Sequence, residues 1–169
     1  MGLSLRFAPG VAGLFLLAVF CPQVRSWHEL RAVLRSTLLV AAVTIPAVIL
    51  VGVVSGYVRW DPKLPWFTAA FVAKTLLLTA VVEEAFFRGV LQEGLSRWSW
   101  IAAHPGRRWV PVVVLSLLFG LAHARAGILF AALATLAGLG YSMAYALTRR
   151  IEAPIVVHAG LNTVHFRLC

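Results

Sequence analysis

The chain has 169 residues, of which 61% are hydrophobic and 12% are charged. Soluble domains are typically ~45–50% apolar and ~25% charged, so this composition excludes an ordinary water-soluble globule and predicts a membrane protein. The net charge of +9 comes from 15 Lys and Arg against 6 Asp and Glu. Most of these basic residues stand between apolar runs, where they contact lipid headgroups and set orientation, so we expect no nucleic-acid partner.

The apolar runs predict an all-α, polytopic bundle of about six transmembrane helices, with residues 1–169 forming one integral membrane domain. In chain order, the predicted helices cover residues 7–20, 36–57, 65–97, 109–123, 127–147 and 153–166. The first run is short for a span, and a signal peptide is its alternative interpretation; we predict an uncleaved helix because no cleavage site follows. The third helix exceeds the ~20 residues of a span, so part of it should project beyond the bilayer or lie tilted.

The loops predict an orientation, because the links after helices one, three and five hold most of the basic residues. These are Arg25, Arg31, Arg35, Arg97, Arg107, Arg108, Arg149 and Arg150. The positive-inside rule therefore predicts these three links on the cytoplasmic side and both termini on the other side. Small residues along helix five predict close packing with a neighbouring helix: Ala131, Ala134, Gly138 and Ala144.

A few charged and polar side chains lie inside the predicted spans. They are Lys74, Glu83, Glu84, Arg88, His123, His158, Asn162 and His165. A charge at the centre of a span costs at least ~2.5–3.5 kcal/mol, so such residues are functional candidates. His165 lies near the chain end and is predicted to be interfacial, and Lys74 receives no role.

The helical positions of the two glutamates predict different roles. Glu84 and Arg88 are four residues apart and can pair on one helical face. Glu83 is turned ~100° away from Glu84 and is left without that partner. His158 and Asn162 share a helical face by the same spacing.

Counting along the helices predicts which candidates lie at one depth. Glu83 lies 14 residues before the predicted end of helix three (97 − 83), and His123 lies 14 residues after the predicted start of helix four (123 − 109). Both are therefore ~21 Å from the link between them and should lie level. His158 is only ~9 Å past the link before it. Either helices three and four extend further on the inner side, or the link before helix six dips inward.

Three short motifs follow one another on these helices. Residues 83–88 read Glu-Glu-Ala-Phe-Phe-Arg, residues 119–123 read Phe-Gly-Leu-Ala-His, and residues 158–162 read His-Ala-Gly-Leu-Asn. In this order they resemble the EExxxR, FxxxH and HxxxN motifs of the CAAX-protease and bacteriocin-processing (Abi) family of intramembrane endopeptidases. The resemblance covers residues 66–166, which would form a CAAX-protease-like catalytic core.

The resemblance implies a role for each motif residue. Glu83 would be the general base that activates a water molecule, and His123 would hold that water. His158 and Asn162 would donate hydrogen bonds to the developing oxyanion. The remaining motif residues would support the site structurally: Glu84, Arg88 and Phe119.

A zinc site is the competing interpretation of the same residues. Glu83, His123 and His158 form a set of two imidazoles and one carboxylate, which is typical of zinc sites with an open position for water. An HExxH motif is absent, and Glu84 is predicted to pair with Arg88, so no second carboxylate is free to act as base. We therefore expect no cofactor, with zinc as the alternative.

The sequence thus predicts an intramembrane endopeptidase that cleaves a membrane-anchored protein. The peptide bond would lie beside a lipidated cysteine, as in prenylated CAAX-type substrates, or in a C-terminal sorting tail. The expected location is the inner membrane of a bacterium or archaeon. The alternative is a non-catalytic immunity or partner-binding membrane protein, or a small proton-coupled transporter that uses Glu83 and the histidines as a proton relay.

Overall fold

The computed structural model describes residues 7–168, and within them all regular structure is helical. Seven helices occur in this part of the chain: α1 (Phe7–Phe20), α2 (Trp27–Val54), α3 (residues 68–96), α4 (Ser99–Ala102), α5 (Val110–Ala122), α6 (Ile128–Thr148) and α7 (Glu152–Leu168). The predicted all-α bundle is confirmed, and the short α4 lies in the link after the predicted third helix. Cys169 lies outside the described residues.

Three stretches of helix are long and apolar enough to cross a bilayer: Trp27–Val54, Pro105–Ala122 and Ile128–Thr148. Their outer surfaces carry large apolar side chains, such as Leu38, Leu39 and Val43 on α2, which are more than half exposed. A soluble domain rarely exposes such a continuous apolar surface. The chain is therefore an integral membrane protein.

The start of α2 differs from the prediction. We expected this helix to begin at residue 36, but it begins at Trp27. The Ser26 hydroxyl accepts a hydrogen bond from the Glu29 amide at 3.2 Å, and the Glu29 carboxylate accepts one from the Arg25 amide at 2.9 Å. A serine followed three residues later by glutamate is a helix-start signal. The prediction was wrong because it followed the apolar run and ignored this polar first turn.

The third helix is continuous but irregular. Its α-helical segments are Thr68–Thr75, Val81–Glu84 and Glu93–Ser96, and two π-helical segments, Leu76–Ala80 and Ala85–Gln92, separate them. A π-helix forms i→i+5 hydrogen bonds and is frequent at functional sites. Glu83 and Glu84 therefore lie on one α-helical turn between two wider turns, which the apolar pattern did not predict.

The buried core lies mainly between α2, α6 and α7, where Val48, Ala137 and Val157 are members of one apolar cluster. On the other side of the bundle, α1 packs against α3. A Cβ atom added at Gly13 would lie 2.7 Å from the Cα atom of Val82, so the backbones of these two helices are in close contact. This contact holds the turn of α3 that carries the glutamates.

Small residues bring α6 close to its neighbours, as predicted. Ala131, Ala134, Gly138 and Ala144 are all buried. A Cβ atom added at Gly138 would lie only 3.3 Å from the Cα atom of Ser116 on α5. Helices α5 and α6 therefore pack with their backbones almost in contact, as small residues allow inside membranes.

Gly120→Ala is expected to destabilise this contact between α5 and α6. The new methyl group would lie 2.7 Å from the carbonyl oxygen of Ala131 and would collide with the Thr135 hydroxyl. Overpacking of this kind lowers the free energy of unfolding by about 1–3 kcal/mol. Thermal unfolding in detergent measures the effect. Gly94→Ala is the control, because its Cβ atom meets nothing within 4 Å and should leave the unfolding temperature unchanged or raise it. Equal unfolding temperatures for both variants would contradict the prediction.

Two polar contacts set the antiparallel register of α3 against the chain around α7. Glu84 contacts His158 at 2.7 Å, and Glu93 contacts Arg149 at 2.8 Å. The two contacts are nine residues apart on both chain segments (93 − 84 and 158 − 149). His158 is therefore level with Glu84, and the last turn of α3 extends past the Arg149 link. Which of the two explanations for the depth of His158 relative to the membrane applies stays a prediction.

Backbone contacts assign the links to the two ends of the bundle. The Ile151 amide donates to the Pro22 carbonyl at 3.2 Å, so the links before α2 and before α7 share one end. The Asp61 amide donates to the Leu168 carbonyl at 2.8 Å, so the link before α3 lies at the opposite end. The basic links after predicted helices one and five are thus on the same side. Which side faces the cytoplasm stays a prediction.

Candidate active site

A cavity of about 270 Å³ lies among α2, α3, α5, α6 and α7. The polar residues that line it include Glu83, His123, His158 and Asn162. Most of the remaining wall is apolar, with Val48, Ile49, Phe130, Leu133 and Leu161 among the residues that form it. The cavity thus brings together the four residues that the sequence analysis assigned to the reaction. Their catalytic roles stay predictions.

Glu83 reaches the cavity from the α-helical turn between the two π-helical segments. Its Oε2 atom is buried and has no hydrogen-bond partner among residues 7–168. A buried carboxylate without a partner is energetically unfavourable, so native proteins retain such groups rarely. Glu83 nevertheless lines the cavity, so its carboxylate group borders the space in which a water molecule would lie.

Glu84 lies behind the cavity and forms the predicted ion pair. Arg88 Nε lies 3.2 Å from Glu84 Oε2, and both side chains are fully buried. Arg88 also donates to the Gly138 carbonyl at 3.1 Å, and its guanidinium lies 4.8 Å from the centre of the Phe119 ring. A buried charge needs such partners, because removing water from it is costly. The pair therefore anchors α3 to α5 and α6.

Glu84 has a second partner, which the sequence analysis missed. Its Oε1 atom lies 2.7 Å from Nδ1 of His158. The ring of Tyr141 stacks on the His158 ring, with centroids 4.5 Å apart and an angle of 10° between the planes. The carboxylate and the stacked ring together fix the orientation of the imidazole. No sequence signal joins residues 74 positions apart, so this contact required the tertiary structure.

His123 directly follows the last residue of α5 and is held by Phe119, the first residue of its own motif. Its Nδ1 atom lies 2.8 Å from the Phe119 carbonyl oxygen, and the two rings are 4.6 Å apart. Because a carbonyl oxygen only accepts, we assign the hydrogen to Nδ1, which then donates. In the neutral imidazole, Nε2 is consequently an acceptor. Phe119 supports His123 through both its backbone and its ring.

The C-terminal half of α7 supplies two further polar groups. Asn162 follows His158 by one turn and is half-buried in the cavity wall. His165 was predicted to be interfacial; its side chain is exposed, but it also lines the cavity. We therefore place His165 where the cavity meets the surroundings.

A metal site was the alternative interpretation of the cavity residues. Within the part of the chain that the structure describes, no three His, Cys, Asp or Glu side chains are placed to hold a metal ion together. The set of Glu83, His123 and His158 thus does not fit a zinc site in this arrangement.

Comparisons with known proteins agree with the resemblance seen in the motifs. The profile of the family described as type II CAAX prenyl endopeptidase Rce1-like matches residues 64–164. Neither the curated proteins nor the solved structures contain a match to the chain. The matched range runs from just before α3 into α7, contains all three motifs and is more than half of the chain. The chain therefore belongs to the Rce1-like family of type II CAAX prenyl endopeptidases.

Proposed function

We propose that this protein hydrolyses a peptide bond inside the membrane with a water molecule activated by Glu83. The observation that carries the proposal is the buried, unpartnered carboxylate oxygen of Glu83 beside a cavity that His123 also lines. Activation of water needs an acceptor that no protein group already occupies. Family membership supports the same activity, an intramembrane protease acting on a membrane-associated protein.

In the first step, one water molecule lies between Glu83 and His123. The Glu83 carboxylate accepts one hydrogen of the water, and Nε2 of His123 accepts the other, since its Nδ1 is engaged by the Phe119 carbonyl. The water oxygen then attacks the carbonyl carbon of the substrate, and its proton moves to Glu83. The electron pair of the C=O bond moves to the carbonyl oxygen, which becomes the oxyanion.

The oxyanion accepts hydrogen bonds from the Asn162 amide and from Nε2 of His158. Donation from Nε2 requires hydrogens on both ring nitrogens of His158, because Nδ1 already donates to the Glu84 carboxylate. Donors that are fixed before the reaction stabilise the oxyanion without reorganisation. The intermediate then collapses, the C–N bond breaks, and Glu83 returns its proton to the amine nitrogen.

The cavity wall indicates the chemistry of the substrate. Apolar side chains from α2, α6 and α7 surround the polar residues, so an apolar chain segment fits this cavity better than a charged one. We propose a membrane-anchored substrate, either a prenylated CAAX-type tail or a C-terminal sorting tail. The proposed location is the inner membrane of a bacterium or archaeon.

A cleavage assay with and without chelators tests the proposal. The protein in liposomes is incubated with a prenylated CAAX peptide or an unlipidated anchor peptide, and mass spectrometry identifies the products. We expect one peptide class to be cut, with turnover unchanged by 1,10-phenanthroline, because the glutamate mechanism uses no metal. A zinc endopeptidase assayed in parallel shows that the chelator is effective. Loss of turnover with phenanthroline and its recovery with Zn²⁺ would make Glu83 a metal ligand, and cleavage of neither class would contradict the proposed activity.

A further inference from the structure

Tyr141 lies in the wall of the catalytic cavity but belongs to none of the three motifs. Its side chain is 1% exposed, and it lines the same cavity as Glu83 and Asn162. Two neighbours hold the Tyr141 ring in place. The ring stacks on His158, and the Arg88 guanidinium lies 5.4 Å from the ring centre. Tyr141 is thus fixed against two motif residues while it borders the space where substrate would lie.

The hydroxyl group of Tyr141 has no hydrogen-bond partner among residues 7–168. A buried tyrosine hydroxyl usually finds one, as Tyr145 shows one turn further along α6 by donating to Glu93 at 2.9 Å. The Tyr141 oxygen is also not among the fully enclosed polar atoms that lack a partner. It therefore borders open space, and the cavity is the open space that this side chain lines.

We infer that the Tyr141 hydroxyl is a further catalytic group, which donates a hydrogen bond to the substrate carbonyl oxygen as the oxyanion forms. This inference rests on the proposed function and adds a third donor beside His158 and Asn162. A phenol is a good donor for this purpose, because it carries a hydrogen without a charge of its own. Tyr141 stacks on His158, which also donates to the oxyanion in the proposed reaction. Because this stacking fixes the tyrosine ring, the hydroxyl group does not need to move as the oxyanion forms.

Tyr141→Phe tests the inference, because it removes the hydroxyl and keeps the stacked ring. In liposomes, kcat for the cleaved peptide is expected to fall by about 10²-fold with KM nearly unchanged, as for loss of one oxyanion donor. A peptide in which a phosphinate replaces the scissile bond mimics the tetrahedral intermediate. Its affinity should fall by the same factor as kcat/KM. The unfolding temperature should stay at the wild-type value.

Tyr145→Phe is the matched control on the same helix. It loses the hydrogen bond to Glu93, and Tyr145 does not line the cavity, so the substitution should lower the unfolding temperature and leave kcat unchanged. Wild-type kcat and phosphinate affinity in Tyr141→Phe would overturn the inference, and so would a lowered unfolding temperature without a kinetic change. Glu83→Gln is assayed alongside. If Glu83→Gln is inactive while Tyr141→Phe is normal, only this inference fails; if Glu83→Gln remains active, the proposed function fails.

Discussion

Glu83→Gln is expected to abolish proteolysis while the protein remains folded. Glutamine has the size of glutamate but cannot take a proton from water, so the rate should fall by the roughly 10²–10⁴-fold that a general base contributes. No hydrogen bond is lost at Oε2, because this atom has no hydrogen-bond partner among the described residues. Replacing a buried, unpartnered carboxylate by a neutral amide should leave the unfolding temperature unchanged or raise it.

The experiment uses the purified protein in liposomes, a fluorogenic membrane peptide and a thermal unfolding assay. Glu152→Gln is the matched control, because one oxygen of Glu152 is also buried without a hydrogen-bond partner. Its other oxygen accepts from the Val24 amide at 2.8 Å, at the end of the bundle where the links before α2 and α7 meet. Glu152→Gln should keep normal turnover. Near-normal turnover of Glu83→Gln would show that another group is the base, and an equal loss in both variants would show that the effect is not specific to the cavity.

Much of this site could be predicted because its signals are local in sequence. A charge inside an apolar run is costly wherever the run lies, so the candidates could be identified before their contacts were known. Spacing along one helix then separated Glu84, which pairs with Arg88, from Glu83, which stays unpaired. Both features depend only on helical geometry within a few residues. The ion pair is present in the structure at 3.2 Å.

The features that the sequence did not predict are of two kinds. Some are contacts between helices that are far apart in the sequence, and others are changes in hydrogen-bonding pattern within one helix. The bond between Glu84 and His158 and the stacking of Tyr141 on His158 join residues of different helices, and no alternation or spacing encodes them. The apolar pattern does not predict the π-helical segments of α3, because it does not distinguish i→i+5 from i→i+4 hydrogen bonding. The early start of α2 had a signal at Ser26 and Glu29, which the search for apolar spans overlooked.

The second large effect is expected from Glu84→Gln, which should lower stability as well as activity. Glu84 neutralises Arg88 and also holds the imidazole of His158. A neutral glutamine leaves the fully buried guanidinium without an opposite charge, and removing one partner of a buried ion pair destabilises by about 3–5 kcal/mol. The amide oxygen is also a weaker hydrogen-bond acceptor for Nδ1 of His158 than the carboxylate is. We therefore expect a low folded yield, a lower unfolding temperature and a reduced kcat in the protein that does fold.

A second substitution separates these two effects of Glu84. Adding Arg88→Met to Glu84→Gln removes the unpaired charge, and a buried ion pair replaced by uncharged groups of similar volume is often nearly neutral for stability. The double variant should therefore recover most of the unfolding temperature. Its kcat should stay low, because His158 still lacks the carboxylate that accepts from its Nδ1 and fixes the imidazole. Recovery of kcat together with stability would show that Glu84 contributes to the reaction only by keeping the helices in place, and that the hydrogen bond to His158 has no chemical role.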